Sequence, residues 1–158
     1  MQARLYILDD ITSYNPQTNI LTDIFIRSVK RLNPPLADLE CSQLLDKIIG
    51  ILNNDDLGKE FYTMLSSNSG VKLIDLADAN NNEWHVTTEF TCENVESGDS
   101  FCPDITCLIN GLHLAFIEVK KPNNHDGILA KRDRINKRMR NKSLCRVINL
   151  TQLMIFFQ

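Results

Sequence analysis

An α/β domain with a mixed central sheet is the fold class this sequence predicts, and three observations carry it. Apolar residues recur at helical spacing through about 18–66. From about 71 the period shortens to two, with turn-rich breaks between the runs. A basic helical stretch, about 126–141, then separates the later strands from a last apolar run. The predicted order is three helices, two strands, a hairpin, a helix and a strand: an N-terminal helical segment, then a sheet core over about 71–158.

Each element has its own signal. "TNILTDIFIRSVKRLN" (18–33) places Leu21, Ile24, Phe25 and Leu32 on one helical face, and Pro34-Pro35 ends it. "LADLECSQLLDKIIGILNN" (36–54) repeats the pattern with Leu39, Leu44, Leu45, Ile48, Ile49 and Leu52. A shorter helix is expected within 57–66, closed by "SNSG". "VKLIDL" (71–76) and "WHVTTEF" (84–90) are expected as strands joined by the turn-rich "ADANNNE". A polar loop, 91–101, leads to a hairpin of about 103–109 and 112–120 around Asn110-Gly111. "GILAKRDRINKRMRNKS" supplies the basic helix, with Ile128, Leu129, Ile135 and Met139 on one face, and "RVINLTQLMIFF" (146–157) predicts a buried strand.

Composition narrows the class. The 158 residues make one domain's worth of chain, with 43% hydrophobic and 23% charged content, and no apolar run approaches a membrane span. "MQARLYILDD" is not a signal peptide. Five cysteines with no C-x-x-C pair predict reduced thiols in a cytoplasmic protein and argue against a zinc site. Net charge is −3, yet residues 118–158 carry 10 basic and 3 acidic side chains while 1–117 carry 7 and 17. That division points the C-terminal third toward something anionic.

The hairpin "CPDITCLINGLHLAFIEVKKP" (102–122) is apolar in the middle and charged at its open end. Asp104 starts it, and Glu118, Lys120 and Lys121 finish it. A spacing of two puts Glu118 and Lys120 on one face of a strand. Paired carboxylates with a lysine beside them suit magnesium-assisted hydrolysis of a phosphodiester: magnesium takes hard oxygen ligands, and an ammonium offsets charge developing on phosphate. The same pattern also describes an ordinary solvated hairpin end, so register decides between them. A bulge-free two-residue loop pairs Asp104 with Ile117 and turns it away from Glu118. A three-residue loop, Ile109-Asn110-Gly111, pairs Leu108 with Leu112 and Asp104 with Phe116, bringing Asp104, Glu118 and Lys120 to one face as diagonal neighbours. The expectation is therefore a three-residue loop with Gly111 at positive φ, or an equivalent bulge.

This phrase, Pro103-Asp104, an apolar run, Asn110-Gly111-Leu112, then Ile117 to Pro122, resembles the nuclease motif of type I restriction enzyme R subunits. Those subunits belong to the restriction-endonuclease-like PD-(D/E)xK superfamily, and "VKLIDLADANNNEWHVTTEF" is similar to their upstream strand pair. The resemblance implies a restriction-endonuclease-like mixed sheet flanked by helices and a DNA-cleaving activity. It implies Asp104 and Glu118 as Mg2+ ligands, with the Val119 carbonyl as a third, and Lys120 as the catalytic lysine. Double-stranded DNA is the implied substrate, and methyltransferase and specificity subunits the implied partners. ATP belongs to helicase motor domains beyond this chain, which carries no G-x-x-x-x-G-K-[ST] loop and ends so abruptly after "MIFF" that a longer protein is expected. Alone, the region is expected to cut weakly or not at all.

The resemblance has one gap. The Gln-x-x-x-Tyr element that often follows the motif is missing, because the next helix has neither residue. Seven of the twelve residues from Lys131 to Lys142 are basic, so Lys121, Lys131, Arg132, Arg134 and Arg138 are candidates for gripping the DNA backbone. Asp23 is the nearest acid on the first helix, though such residues are usually just solvated. His85, His113 and His125 show no ligand spacing and are expected to be structural or exposed. Asp75 is expected to shape a turn at a strand end, Cys102 and Cys107 to be small buried side chains, and Trp84 and Phe90 to fill core. Two rivals remain: a non-catalytic DNA-binding or docking module of the same fold, and a stand-alone repair or junction nuclease of the superfamily.

Overall fold

The computed structural model describes residues 5–7, 14–15, 18–67, 70–93, 100–119, 130, 132–133, 135–137 and 144–157. Three helices come early: α1 (Thr22–Leu32), α2 (Asp38–Ile51) and α3 (Lys59–Ser66). Among the described residues the strands are β1 (Leu5–Ile7), β2 (Trp84–Thr88), β3 (Cys92–Glu93), β4 (Ser100–Phe101), β5 (Ile105–Ile109), β6 (Leu112–Val119) and β7 (Leu153–Phe157). A short helix, α4 (Cys145–Leu150), precedes β7. The main sheet runs β1-β2-β5-β6-β7, and β3-β4 form a separate small hairpin. The β2-β5 and β5-β6 pairs are antiparallel, while β1-β2 and β6-β7 are parallel, so the sheet is mixed as expected.

Two apolar clusters divide the core. Phe25 and Val29 of α1 meet Cys41, Leu44 and Ile48 of α2, Phe61 of α3, and Leu112 and Leu114 from the start of β6. The second cluster covers one sheet face: Leu108, Phe116, Met154 and Phe156 lie under Phe90, Phe101, Leu144 and Val147. Helix α1 starts against the hairpin turn, where the Leu21 N–H donates to the Gly111 carbonyl at 2.9 Å. Its other end is tied by Asn33, which donates to the Val29 and Lys72 carbonyls and accepts the Lys72 N–H, each at 2.8 Å.

Several expectations are corrected. The segment 71–76 is not a strand. Leu73 and Ile74 are buried in the helical core, which explains the apolar pattern. The backbone of Lys72, Leu73 and Asp75 in this segment bonds to asparagine side chains instead of a ladder. Asn33 takes Lys72, Asn82 exchanges two 2.8 Å bonds with the Asp75 backbone, and Asn110 donates to the Leu73 carbonyl at 2.9 Å. The run 146–157 divides into α4 and β7. Val147, Ile148 and Leu150 bury from a helix, and β7 alternates between exposed and half-buried positions, so it is not a buried strand. Residues 91–101 hold the β3-β4 hairpin rather than loop alone, and β1 was not anticipated from "LYI". Most of the expected basic helix lies outside the described residues; within it 130, 132–133 and 135–137 are helical, and Ile135 is buried in the second cluster.

The hairpin resolves the register by a different device from a three-residue loop. The turn is two residues, with Ile109 opposite Leu112 and both Asn110 (φ 52°) and Gly111 (φ 80°) in the left-handed region. Leu108 then faces His113 but Cys107 faces Ala115, so Leu114 is an extra residue on β6. The Leu114 side chain is used by the helical core, and its carbonyl accepts the Gln152 N–H at 2.8 Å ahead of β7. The expected pairing of Asp104 with Phe116 is therefore replaced, because Phe116 faces Thr106. The equivalent bulge, and the positive φ at Gly111, are what the structure adopts.

Candidate active site

Continuing the register past Ile105 opposite Ile117 places Asp104 opposite Glu118. The two carboxylates thus occupy directly facing positions on one side of the sheet, closer than the diagonal relation expected from the sequence. Asp104 is tied across the strands, its Oδ2 accepting the Val119 N–H at 2.7 Å. Asp104 is half-buried, and Glu118 is only 3% exposed although it lies one residue from the end of β6. A carboxylate withdrawn from water to that degree costs several kcal/mol, on the order of magnitude known for buried ions, unless positive charge or hydrogen bonds compensate.

The face that carries this pair mixes polar side chains with the second apolar cluster. Counting through the bulge, Asp104, Thr106 and Leu108 of β5 share it with His113, Phe116 and Glu118 of β6. On β2, His85 and Thr87 face Leu108 and Thr106, which brings them to the same side. Phe101 stacks edge-on against Phe116 at 5.1 Å, and Phe90 against His113 at 5.7 Å, so aromatic rings wall the face from above. Burial pushes His113 down to about 4, leaving it neutral at ordinary pH. His85 is also lowered by burial, against the pull of Glu83, whose Oε1 lies 3.3 Å from Nε2.

The remaining candidates separate by place. Asp23 is exposed on the first turn of α1 and therefore stands at the turn end of the hairpin, roughly 20 Å along β6 from Glu118. It does not join the carboxylates. Asp75 shapes a loop rather than a strand end: Asn81 and the Asp78 and Ala77 amides hold its carboxyl below the usual range. His113 and His85 are buried, Phe90 fills core, and Trp84 is half-buried with its indole N–H on the Ala79 carbonyl at 2.9 Å. Cys102 is exposed and Cys107 half-buried, which corrects the buried reading of both; none of the five cysteines is in a disulfide. Cys107 projects to the more open sheet face, and Cys102 precedes the strand. Arg132 is exposed and 3.6 Å from Asp133. Lys120, Lys121, Lys131, Arg134, Arg138 and His125 lie outside the described residues.

Among the described residues no three His, Cys, Asp or Glu side chains gather as a metal cluster. Two facing carboxylates are nonetheless an oxygen-donor set of the kind magnesium accepts, since it keeps several waters and takes one or two protein carboxylates. The facing placement of Asp104 and Glu118 on one side of the sheet fits that donor role. Thr106 and Thr87 were missed by the sequence reading; for Thr106 a hydroxyl between Ile105 and Cys107 was the available signal, while Thr87, next to Thr88, carried none.

A mixed sheet flanked by helices, with acids at the open end of its central hairpin, is consistent with a restriction-endonuclease-like fold. The chain belongs to the family described as type I restriction enzyme R protein N terminus, which matches residues 8–158. It is similar to a Methanocaldococcus jannaschii protein named "Putative type I restriction enzyme MjaIXP endonuclease subunit", 32% identical over 123 residues. That match covers 67% of this chain and 12% of the relative, so the chain spans a small part of that protein's length. No solved structure matches the chain. Among the described residues no helix is long and apolar enough to cross a membrane.

Proposed function

We propose that this chain is the magnesium-dependent endonuclease domain of a type I restriction enzyme R subunit, hydrolysing phosphodiester bonds of double-stranded DNA. The observation that carries the reading is the Leu114 bulge, which sets Asp104 opposite a buried Glu118 in a chain of this family. In this reading Asp104, Glu118 and the Val119 carbonyl hold Mg2+. When bound there, the cation would supply a water nucleophile and offset charge on the phosphate. The Val119 N–H fixes Asp104 by its 2.7 Å bond, which orders one carboxylate before any ligand arrives. Lys120, two residues after Glu118, orients the attacking water and shields the developing charge. Lys121, Lys131, Arg132, Arg134 and Arg138 contact the DNA backbone, the last three also standing where a Gln-x-x-x-Tyr element is absent.

The whole protein is proposed to carry ATP-driven motor domains beyond this region and to work with methyltransferase and specificity subunits in the cytoplasm. The decisive test is Asp104→Ala, Glu118→Ala and Lys120→Ala in that complex. Each is expected to abolish DNA cleavage while ATP hydrolysis and translocation continue. Cleavage that survives all three changes would leave the domain as a non-catalytic DNA-binding or docking module.

A further inference from the structure

The polar row beside the carboxylates exceeds what packing requires. Thr106 is fully buried on β5, flanked on its own face by Asp104 and Leu108 and faced by Thr87 of β2 and Phe116 of β6. Its hydroxyl oxygen has no hydrogen-bond partner among the described residues. Valine has nearly the same shape, suits a strand at least as well, and brings no hydroxyl to satisfy. A threonine here is explained if the hydroxyl meets something that is not a protein atom.

Position says what that is. Asp104 lies two residues away along the strand, roughly 7 Å, and Glu118 is the diagonal neighbour at roughly 7–8 Å between backbones. The longer Glu118 side chain and one water, spanning two hydrogen bonds of about 2.8 Å each, close that gap. A buried water needs two to four polar partners, and a threonine hydroxyl with a buried carboxylate supplies the first of them.

We propose that Thr106 is a positioning residue of the carboxylate site, its hydroxyl donating to a buried water that in turn donates to the Glu118 carboxylate and holds it oriented toward the cation. The proposal rests on the metal-site reading of Asp104 and Glu118. Residues that orient a metal ligand from behind typically change affinity by 10–100-fold when lost.

Calorimetric titration of the 158-residue chain with Mg2+ and with Mn2+ tests it, using Thr106→Val, Thr106→Ser, Thr106→Ala and Asp104→Asn, with thermal midpoints measured in parallel. Thr106→Val is expected to weaken both cations about ten-fold while the metal-free midpoint stays close to that of the unaltered chain, since valine fills nearly the same volume and the water leaves with the hydroxyl. Thr106→Ser is expected to restore most of the affinity. A purely structural role predicts the reverse pattern, a lower midpoint with binding unchanged, and that result overturns the proposal. If Thr106→Val does not fold, Thr106→Ala reports the same loss without added bulk. Unchanged affinity in the valine and alanine variants, with binding lost in Asp104→Asn, overturns the role of Thr106 and leaves the metal site standing. No binding by the unaltered chain removes the metal site itself, and the proposal with it.

Discussion

Replacing Asn110 by alanine tests how this hairpin is held. Asn110 is completely buried at φ 52°, and its side chain makes three bonds: Oδ1 accepts the Glu83 N–H at 2.8 Å, and Nδ2 donates to the Leu73 carbonyl at 2.9 Å and to Asn82 Oδ1 at 3.0 Å. Alanine in the left-handed region costs about 1 kcal/mol. The Glu83 N–H and the Leu73 carbonyl are each left without that partner, at about 1.5 kcal/mol apiece, toward the lower end of the usual cost. The sum is about 4 kcal/mol, a large part of the ~5–15 kcal/mol that holds a domain together. With a urea slope of about 2 kcal/mol per molar, the midpoint followed by circular dichroism should fall by about 2 M. Asn110→Gly should recover about 1 kcal/mol of the loss, because glycine has no left-handed penalty. Amide exchange should quicken at Glu83 and Asp75, which this network ties together. An alanine variant within about 1 kcal/mol of the parent would refute the claim that asparagine side chains replace a strand ladder here.

Three further outcomes follow from the same structure. Gly111→Ala would put a Cβ 2.6 Å from the Leu21 carbonyl oxygen and 2.8 Å from the Phe25 nitrogen, both backbone atoms at the start of α1. Strain and forced displacement together should cost about 3 kcal/mol and lower the melting temperature by roughly 10 °C. Gly50→Ala, which meets nothing within 4 Å on helix α2, should raise it slightly in the same calorimetric series. The acid side of the stability curve should be set in part by His113, held at about 4 by burial against an ordinary 6.5. Above 6.5 both states are neutral. Between 6.5 and 4 the unfolded chain binds a proton that the folded chain refuses, so stability should fall by about 3 kcal/mol across that window. Below 4 this group adds nothing more. His85, lowered in the same direction, reinforces the slope. Urea midpoints at stepped pH should show His113→Gln with a shallower decline, and an equally steep one would sink the assignment.

The helical half and the hairpin were legible before any coordinates because their signals are local. Apolar spacing fixes most of the buried faces of α1 and α2, although Leu39, expected on the α2 stripe, is 69% exposed, and Asn110-Gly111 specifies a tight turn through the left-handed backbone that these two residues tolerate. The segment 71–76 misled because burial and strand formation produce the same short apolar run; what distinguishes them is where the backbone hydrogen bonds go, and the partners Asn33, Asn82 and Asn110 lie far off in sequence. The run 146–157 misled for a related reason, since a buried helical turn and an edge strand follow one another without a strong breaker.

By itself the sequence singled out the candidate side chains: Asp104, Glu118 and Lys120 are marked by charge in an apolar hairpin, and parity of spacing showed that the turn and any bulge must decide whether they meet. Only the tertiary structure decided how. The extra residue is Leu114, not a loop position, because its side chain is claimed by the α1–α3 core and its carbonyl by Gln152. A bulge of that kind is paid for by contacts remote in the chain, which no local pattern encodes, and it turns two separate acids into a facing pair.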